Sequence, residues 1–192
     1  LSGGDIMIIN RDITADDIRY KIWNNSIWSA SWTAIDASAT ENATYDVGMA
    51  VTVSPTTGDL YLAYIANNVA LGTEDQIRTA RYSGGAWSTT KQVIRYTEKG
   101  ITNIAIGLDT SNKDVYVAYS LRSILATANT ANIYWRKSAD DMQSWTFEQG
   151  PVNSSADDFY GVDINIASNE RLFVSWFDDT DNDINGDTLV DL

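Results

Sequence analysis

The residues most suited to chemistry form an acidic stretch at residues 178–187. Every second position there has a side-chain oxygen, at Asp179, Asp181, Asp183, Asn185 and Asp187. Carboxylate and amide oxygens are the hard ligands that Ca²⁺ prefers, and closely packed carboxylates repel one another without a cation. Counted from Asp181, the spacing fits the first half of an EF-hand loop, but Leu192 stands where a bidentate Glu is needed. We therefore expect loop-bound Ca²⁺ without a full EF-hand; a solvated acidic loop is the alternative.

The overall composition narrows the functional classes. Twenty-six acidic and 13 basic residues give a formal charge of −13, which disfavours binding to nucleic acid or anionic lipid. Histidine is absent, so the commonest general base and transition-metal ligand is missing. Cysteine is absent too, so no disulfide contributes to stability. No apolar run reaches the roughly 20 residues that cross a bilayer. The acidic surface and the lack of a signal peptide predict the mature or excised form of a secreted or cell-surface protein, with no membrane insertion.

Three segments of the sequence are versions of one another. Ser54, Ser111 and Ser168 close the first strand of each unit and are 57 residues apart. A self-similar unit of this length, rich in strand formers, is typical of propeller blades. The predicted fold is all-β: a β-propeller of four-stranded antiparallel blades, of which about three are present. The predicted units are a partial blade at residues 1–36, blades at 46–94 and 103–149, and a partial blade at 161–192.

Each full unit has four predicted strands. In the first full unit these are residues 47–53, 60–65, 76–82 and 86–94; in the second they are residues 103–109, 114–120, 131–137 and 144–149. The first partial unit supplies three strands, at residues 4–9, 18–23 and 28–35, and the last supplies two, at 161–167 and 171–177. This is too little for a closed propeller of about four to eight blades. We therefore expect a fragment of a longer chain, or a ring completed by copies of this one.

The hairpin after the third strand of the second full unit has a distinctive pattern. Residues 138–145 read SADDMQSW, which resembles the Asp-box, or BNR repeat, of sialidase-like propellers: Ser138, Asp140 and Trp145 match the pattern Ser-x-Asp-x-Gly-x-x-Trp. Met142 stands at the glycine position, where positive φ is usual, so we expect an altered turn. In that family the Asp-box is structural and lies opposite the ligand face, so its acids are not expected to be catalytic.

The resemblance implies where a ligand would bind. Sialidases hold the substrate carboxylate with three arginines, one in an Arg-Ile-Pro segment, and use a Tyr nucleophile activated by a Glu. This sequence has no Arg-Ile-Pro. Arg122, in a loop after a predicted second strand, is the plausible anion clamp, and Tyr96 with Glu98 forms a Tyr–Glu pair in a predicted inter-blade connection. We interpret these three as candidate ligand-binding residues; exposed loop residues are the alternative.

A function follows from these expectations. Without the arginine motif, the favoured reading is a non-catalytic extracellular module that recognises a glycan or a cell-surface protein. The alternatives are a fragment of an exo-glycosidase of sialidase type and an architectural repeat of a surface layer or filament. Most tryptophans are expected to pack between sheets; Trp32 and Trp135 are less repeated, so they are either sugar-stacking platforms or further packing residues.

Overall fold

The computed structural model describes residues 4–12, 14–39, 48–68, 74–96, 99–123, 131–152, 158–167 and 171–179. These residues form thirteen strands: β1 (Ile6–Asp12), β2 (Asp17–Trp23), β3 (Thr33–Asp36), β4 (Met49–Val53), β5 (Leu60–Asn68), β6 (Glu74–Ser83), β7 (Ala86–Trp87), β8 (Lys91–Tyr96), β9 (Lys99–Leu108), β10 (Val115–Ser123), β11 (Ala131–Ser138), β12 (Asp158–Ile166) and β13 (Leu172–Asp179). All pairings between the described strands are antiparallel, and no described residue is helical. The all-β prediction is confirmed.

The described strands form four sheets. The first sheet has the order β1-β2-β3, and the second has β4-β5-β6, with β7 and β8 both paired to β6. The third sheet has the order β9-β10-β11, and the fourth is the pair β12-β13. Within the described part of the chain no helix is long and apolar enough to cross a membrane.

The fourth strand of each full unit differs from the predicted strand. The predicted strand at 86–94 is divided into β7 and β8, and the one at 144–149 contributes only an isolated bridge from Gln149 to Trp135. Thr146, Gln149 and Val152 donate their amides to Lys137, Trp135 and Ile133. The donors are three residues apart and the acceptors two, so an extra residue bulges out at each step and no regular ladder forms.

Neighbouring sheets pack face to face through separate apolar clusters. One joins the first and second sheets around Ile18 and Tyr64. Another joins the second and third sheets around Ile65 and Ile104, and the last joins the third and fourth around Ala105 and Ile164. No cluster of the described residues joins the fourth sheet to the first, so the described sheets form an open series.

The connections between successive strands alternate between the two ends of the sheets. The β4–β5, β6–β7, β9–β10 and β12–β13 turns share one end, called here the turn end; the β5–β6, β8–β9 and β10–β11 connections share the other, the loop end. Ser54 N donates to Asp59 O at 2.8 Å, and Asp109 N donates to Asp114 O at the same distance. An ion pair of 2.8 Å between Arg81 and Asp141 links the second and third sheets at the turn end. Several turns at the turn end thus make their own hydrogen bonds.

The Asp-box-like turn, residues 138–145, also lies at the turn end. Ser138 Oγ donates to Asp140 Oδ1 at 2.7 Å and accepts the Met142 amide at 2.9 Å. Asp140 also accepts the Ser144 hydroxyl at 2.5 Å and its amide at 2.9 Å. Hydrogen bonds from Ser144 and then Ser138 lower the pKa of Asp140 to about 2. The carboxylate is thus committed to the turn, as the resemblance implied.

The expectation of an altered turn at Met142 is wrong. Met142 keeps a glycine-like φ of 65°, and its side chain is only 2% exposed within the cluster between the second and third sheets. Apolar burial there offsets the steric cost of the left-handed conformation.

Candidate functional site

The loop end brings together the backbones of two predicted ligand-binding residues. Tyr96 ends β8 and pairs with Asp75 of β6. Arg122 lies inside β10, between Gly100 of β9 and Ala131 of β11. The sequence analysis placed both in connections; the strands instead extend further toward the loop end, which fixes both backbones in sheet ladders. Glu98 lies outside the described residues.

Asp75 links the strands that contain these two residues. Its Oδ2 accepts the amide of Ile101 at 2.8 Å, and Ile101 follows Gly100, the cross-strand partner of Arg122. Asp75 therefore lies opposite Tyr96 in the second sheet while it is hydrogen-bonded to the third. The candidate site, defined as Asp75, Tyr96 and Arg122, spans the junction between these two sheets.

Asp75 is a buried acid, with 4% of its surface exposed. Burial raises its pKa, and the hydrogen bond from the Ile101 amide opposes that rise only in part. Among the described side chains none forms an ion pair with it. A carboxyl group in this setting retains its proton to a higher pH than an exposed Asp does. The junction thus offers a carboxyl group near a Tyr and an Arg backbone.

Sequence alone did not single out Asp75, because residues 66–75 lie between the strands predicted at 60–65 and 76–82. The available signal was the position of this acid directly before the strand predicted at 76–82. Its function as an inter-sheet acceptor depends on the Ile101 amide, 26 residues away, and such a long-range partner is invisible in one sequence.

A second Tyr–Glu pair lies in the third sheet, where the sequence did not indicate one. Tyr119 Oη donates to Glu148 Oε2 at 2.7 Å, and the Tyr119 ring stacks on Tyr134. Tyr119 is fully buried, and this burial raises its pKa to about 12. Burial also raises the pKa of Glu148. A nucleophile needs access and an activated hydroxyl, so this pair is a structural one.

The predicted calcium ligands fall almost entirely outside the described residues. Asp179 is the last residue of β13, and its backbone lies at the loop end. Asp181, Asp183, Asn185 and Asp187 are not among the described residues. Within the described ranges no group of three or more acidic, His or Cys side chains could hold a metal ion. Calcium binding stays a prediction.

The two less repeated tryptophans differ in their surroundings. Trp135 packs against the cluster between the third and fourth sheets and lies 6.0 Å from the Tyr116 ring, so packing explains it. Trp32 is 36% exposed, but Arg19 and Lys21 lie over its ring at 5.2 and 5.5 Å. Two cationic side chains of β2 therefore contact the Trp32 ring, and sugar stacking at Trp32 stays a prediction.

Comparisons with known proteins add little beyond this geometry. No family model and no curated protein matches the chain. Among solved structures, the chain is similar to "Hadza microbial sialidase Hz136", with a TM-score of 0.48 and 10% sequence identity, over 86% of this chain and 43% of that one. The chain thus spans less than half of that structure's length. A likeness this weak concerns the fold at most and carries no argument about activity.

Proposed function

We propose that this chain is part of a sialidase-like β-propeller that acts as a non-catalytic recognition module outside the cell. Its partner is a glycan or a cell-surface protein, and the loop end is the binding face. Four antiparallel sheets in series, each with the strand order of one repeat, support the propeller. The remaining blades would come from a longer chain or from further copies.

The observation that carries the proposal is the junction at the loop end. There the buried Asp75, the cross-strand partner of Tyr96, accepts the amide of Ile101, whose neighbour Gly100 pairs with Arg122. Arginine recognises carboxylates with charge-assisted hydrogen bonds, so an anionic glycan is the favoured ligand class.

Binding at the loop end is tested by substituting Arg122. On a glycan array, the fluorescently labelled chain is expected to bind anionic glycans, and Arg122→Ala to weaken that binding roughly tenfold or more, the usual scale for a hydrogen bond to a charged group. Arg171→Ala, at the turn end, is the matched control and is expected to bind normally. Equal binding by both variants would remove Arg122 from the site.

The same samples separate recognition from catalysis. We expect no release of fluorophore from a fluorogenic sialoside, and turnover that disappears in Arg122→Ala would instead favour the exo-glycosidase. An absence of any glycan binding, together with regular polymers in solution, would favour the architectural repeat.

We also propose that the acidic loop holds Ca²⁺ as a structural cofactor. Millimolar Ca²⁺ is then expected to raise the melting temperature of chelator-treated protein, since a ligand that binds only the folded state stabilises it. Asp181→Asn with Asp183→Asn should abolish this rise, whereas Asp163→Asn, an exposed acid on β12, should leave it intact. A calorimetric titration without heat would refute the site.

A further inference from the structure

An apolar groove lies between the first and second sheets. Its cavity measures about 220 Å³ and is lined by Met7, Ile9, Met49, Val51, Leu60 and Leu62. Val51 is 53% exposed and Val53 is 52% exposed, which is unusual for valines in a strand that faces a neighbouring sheet. The groove has no polar lining side chain, so its occupant must present apolar groups to it.

The groove is bordered by the free edge of β1. Among the described residues this strand pairs only with β2. Ile22 of β2 exchanges hydrogen bonds with Ser29, on its other side, so Met7, the partner of Ile22 across the pair, directs its amide and carbonyl away from β2. Ile9 does the same two residues later. An occupant that leaves these groups without partners in an apolar groove would incur a desolvation cost.

The other sheet junctions show what fits in such a groove. At each of the other two junctions, a glycine at the first strand of one sheet faces isoleucines in the first strand of the next sheet. A Cβ added to Gly48 would lie 3.1 Å from Ile104 of β9, and one added to Gly107 of β9 would lie 3.1 Å from Ile166 of β12. A strand that packs against such isoleucines therefore needs small side chains, because larger ones would overlap the isoleucine side chains.

At the junction between the first and second sheets, β4 presents a row of larger apolar side chains, but no described strand with small residues packs against it. Met49, Val51 and Val53 alternate along β4 with Ala50, which faces the third sheet. They therefore lie on the opposite face of β4, toward the groove. In the junction between the second and third sheets, Ile104 and Ile106 of β9 occupy the equivalent positions. Among the described residues no strand covers them.

We propose that the groove binds an extended polypeptide strand that pairs antiparallel with β1 and has Gly or Ala at alternate positions over Met49, Val51 and Val53. Strand addition would satisfy the free amides and carbonyls of β1, and the small side chains would fit the branched row. A lipid or other purely apolar ligand would leave the β1 groups unpaired. This interaction surface is independent of the loop-end site.

The test uses the chain's own β4 segment as the probe. A labelled peptide of residues 46–54, DVGMAVTVS, is expected to bind the full chain saturably in fluorescence anisotropy. Val51→Lys in the protein should weaken binding about tenfold or more, because the charge would be buried in the groove. Phe147→Lys, at a residue 90% exposed in the third sheet, is the matched control and should bind as the wild type does.

A second probe tests the small-residue requirement. A peptide with Gly48→Val and Ala50→Leu keeps the strand-forming pattern but enlarges both small positions, so it is expected to bind about tenfold more weakly or not at all. Equal binding of both peptides would overturn the proposal.

A fusion keeps the test decisive if the free peptide binds too weakly. Residues 46–57 joined in front of Gly4 would lead into β1 through a copy of the chain's own β4–β5 turn, and the melting temperature should rise by about 4 °C or more. The same fusion with Gly48→Val and Ala50→Leu in the added copy should show no rise. No peptide binding together with no rise would refute the proposal, as would a dimer in sedimentation that Val51→Lys dissociates, because the occupant would then be a second copy.

Discussion

Replacing Asp36 with alanine is expected to destabilise the chain by about 3 kcal/mol, one of the two largest effects we foresee. Asp36, at the end of β3, accepts the Tyr64 hydroxyl at 2.5 Å and Arg78 Nη1 at 2.8 Å, both from the second sheet. Removing one partner of a buried ion pair costs about 3–5 kcal/mol because the other charge stays unpaired. The Arg78 side chain is 19% exposed, so water reduces the cost to the lower bound.

Urea denaturation of the variants measures this loss. Arg78→Leu combined with Asp36→Ala removes both charges and is expected to recover part of the stability. Tyr64→Phe, which removes only the hydroxyl and its hydrogen bond to the charged carboxylate, should cost about 1.5–3 kcal/mol. A loss below about 1 kcal/mol for Asp36→Ala would show that the hydrogen bonds are not maintained in solution.

The pH dependence of this contact has a definite sign. Burial would raise the pKa of Asp36, but hydrogen bonds from Tyr64, Arg78 and Ser38 outweigh it and lower the pKa below the ordinary value of 3.8. A lowered folded-state pKa contributes stability above the unfolded value, and that contribution is lost as pH falls through the folded-state pKa. The difference between the wild type and Asp36→Asn should therefore be constant near neutral pH and shrink below about pH 4.

The second large effect is expected at Met142, where glycine should be tolerated better than alanine. Met142→Ala empties a buried site and keeps the positive φ, so it should cost about 2–5 kcal/mol. Met142→Gly empties the same site but relieves the left-handed conformation, which recovers about 1 kcal/mol. At ordinary sites glycine is the worse replacement by roughly 0.5–1 kcal/mol.

Ile133 provides the control for this inverted order. It is fully buried in β11, and no positive φ is found there. Ile133→Gly should be less stable than Ile133→Ala in the same urea titration. The same ranking at Met142 would contradict the proposed offset between burial and backbone strain.

Much of the architecture could be predicted because strand pattern and turn chemistry are local. The self-similar units rich in strand formers predicted β4, β5 and β6 within a few residues. The repeat register was less accurate: the hydrogen bonds at the turn end align Ser54 with Asp109, whereas similarity had aligned it with Ser111. A serine matched by letter need not have the same backbone position.

The remaining features depend on contacts between distant residues. The fit of Met142 depends on a cavity made by two sheets, and the link from Asp75 to Ile101 crosses a sheet junction. Arg122 and Tyr96 were predicted as residues of the ligand side, but their positions within strands follow from how far β8 and β10 extend. Side-chain packing of this kind is not encoded in any short segment.

The separate apolar clusters between successive sheets have a consequence for how the molecule unfolds. Each cluster is shared by only two sheets, so stability is a sum of neighbour couplings, as in repeat proteins. The Asp36 contact belongs to the first coupling and Met142 to the second, so their energetic effects should add. Damage at one junction would leave the more distant sheets folded, and melting would proceed by segments.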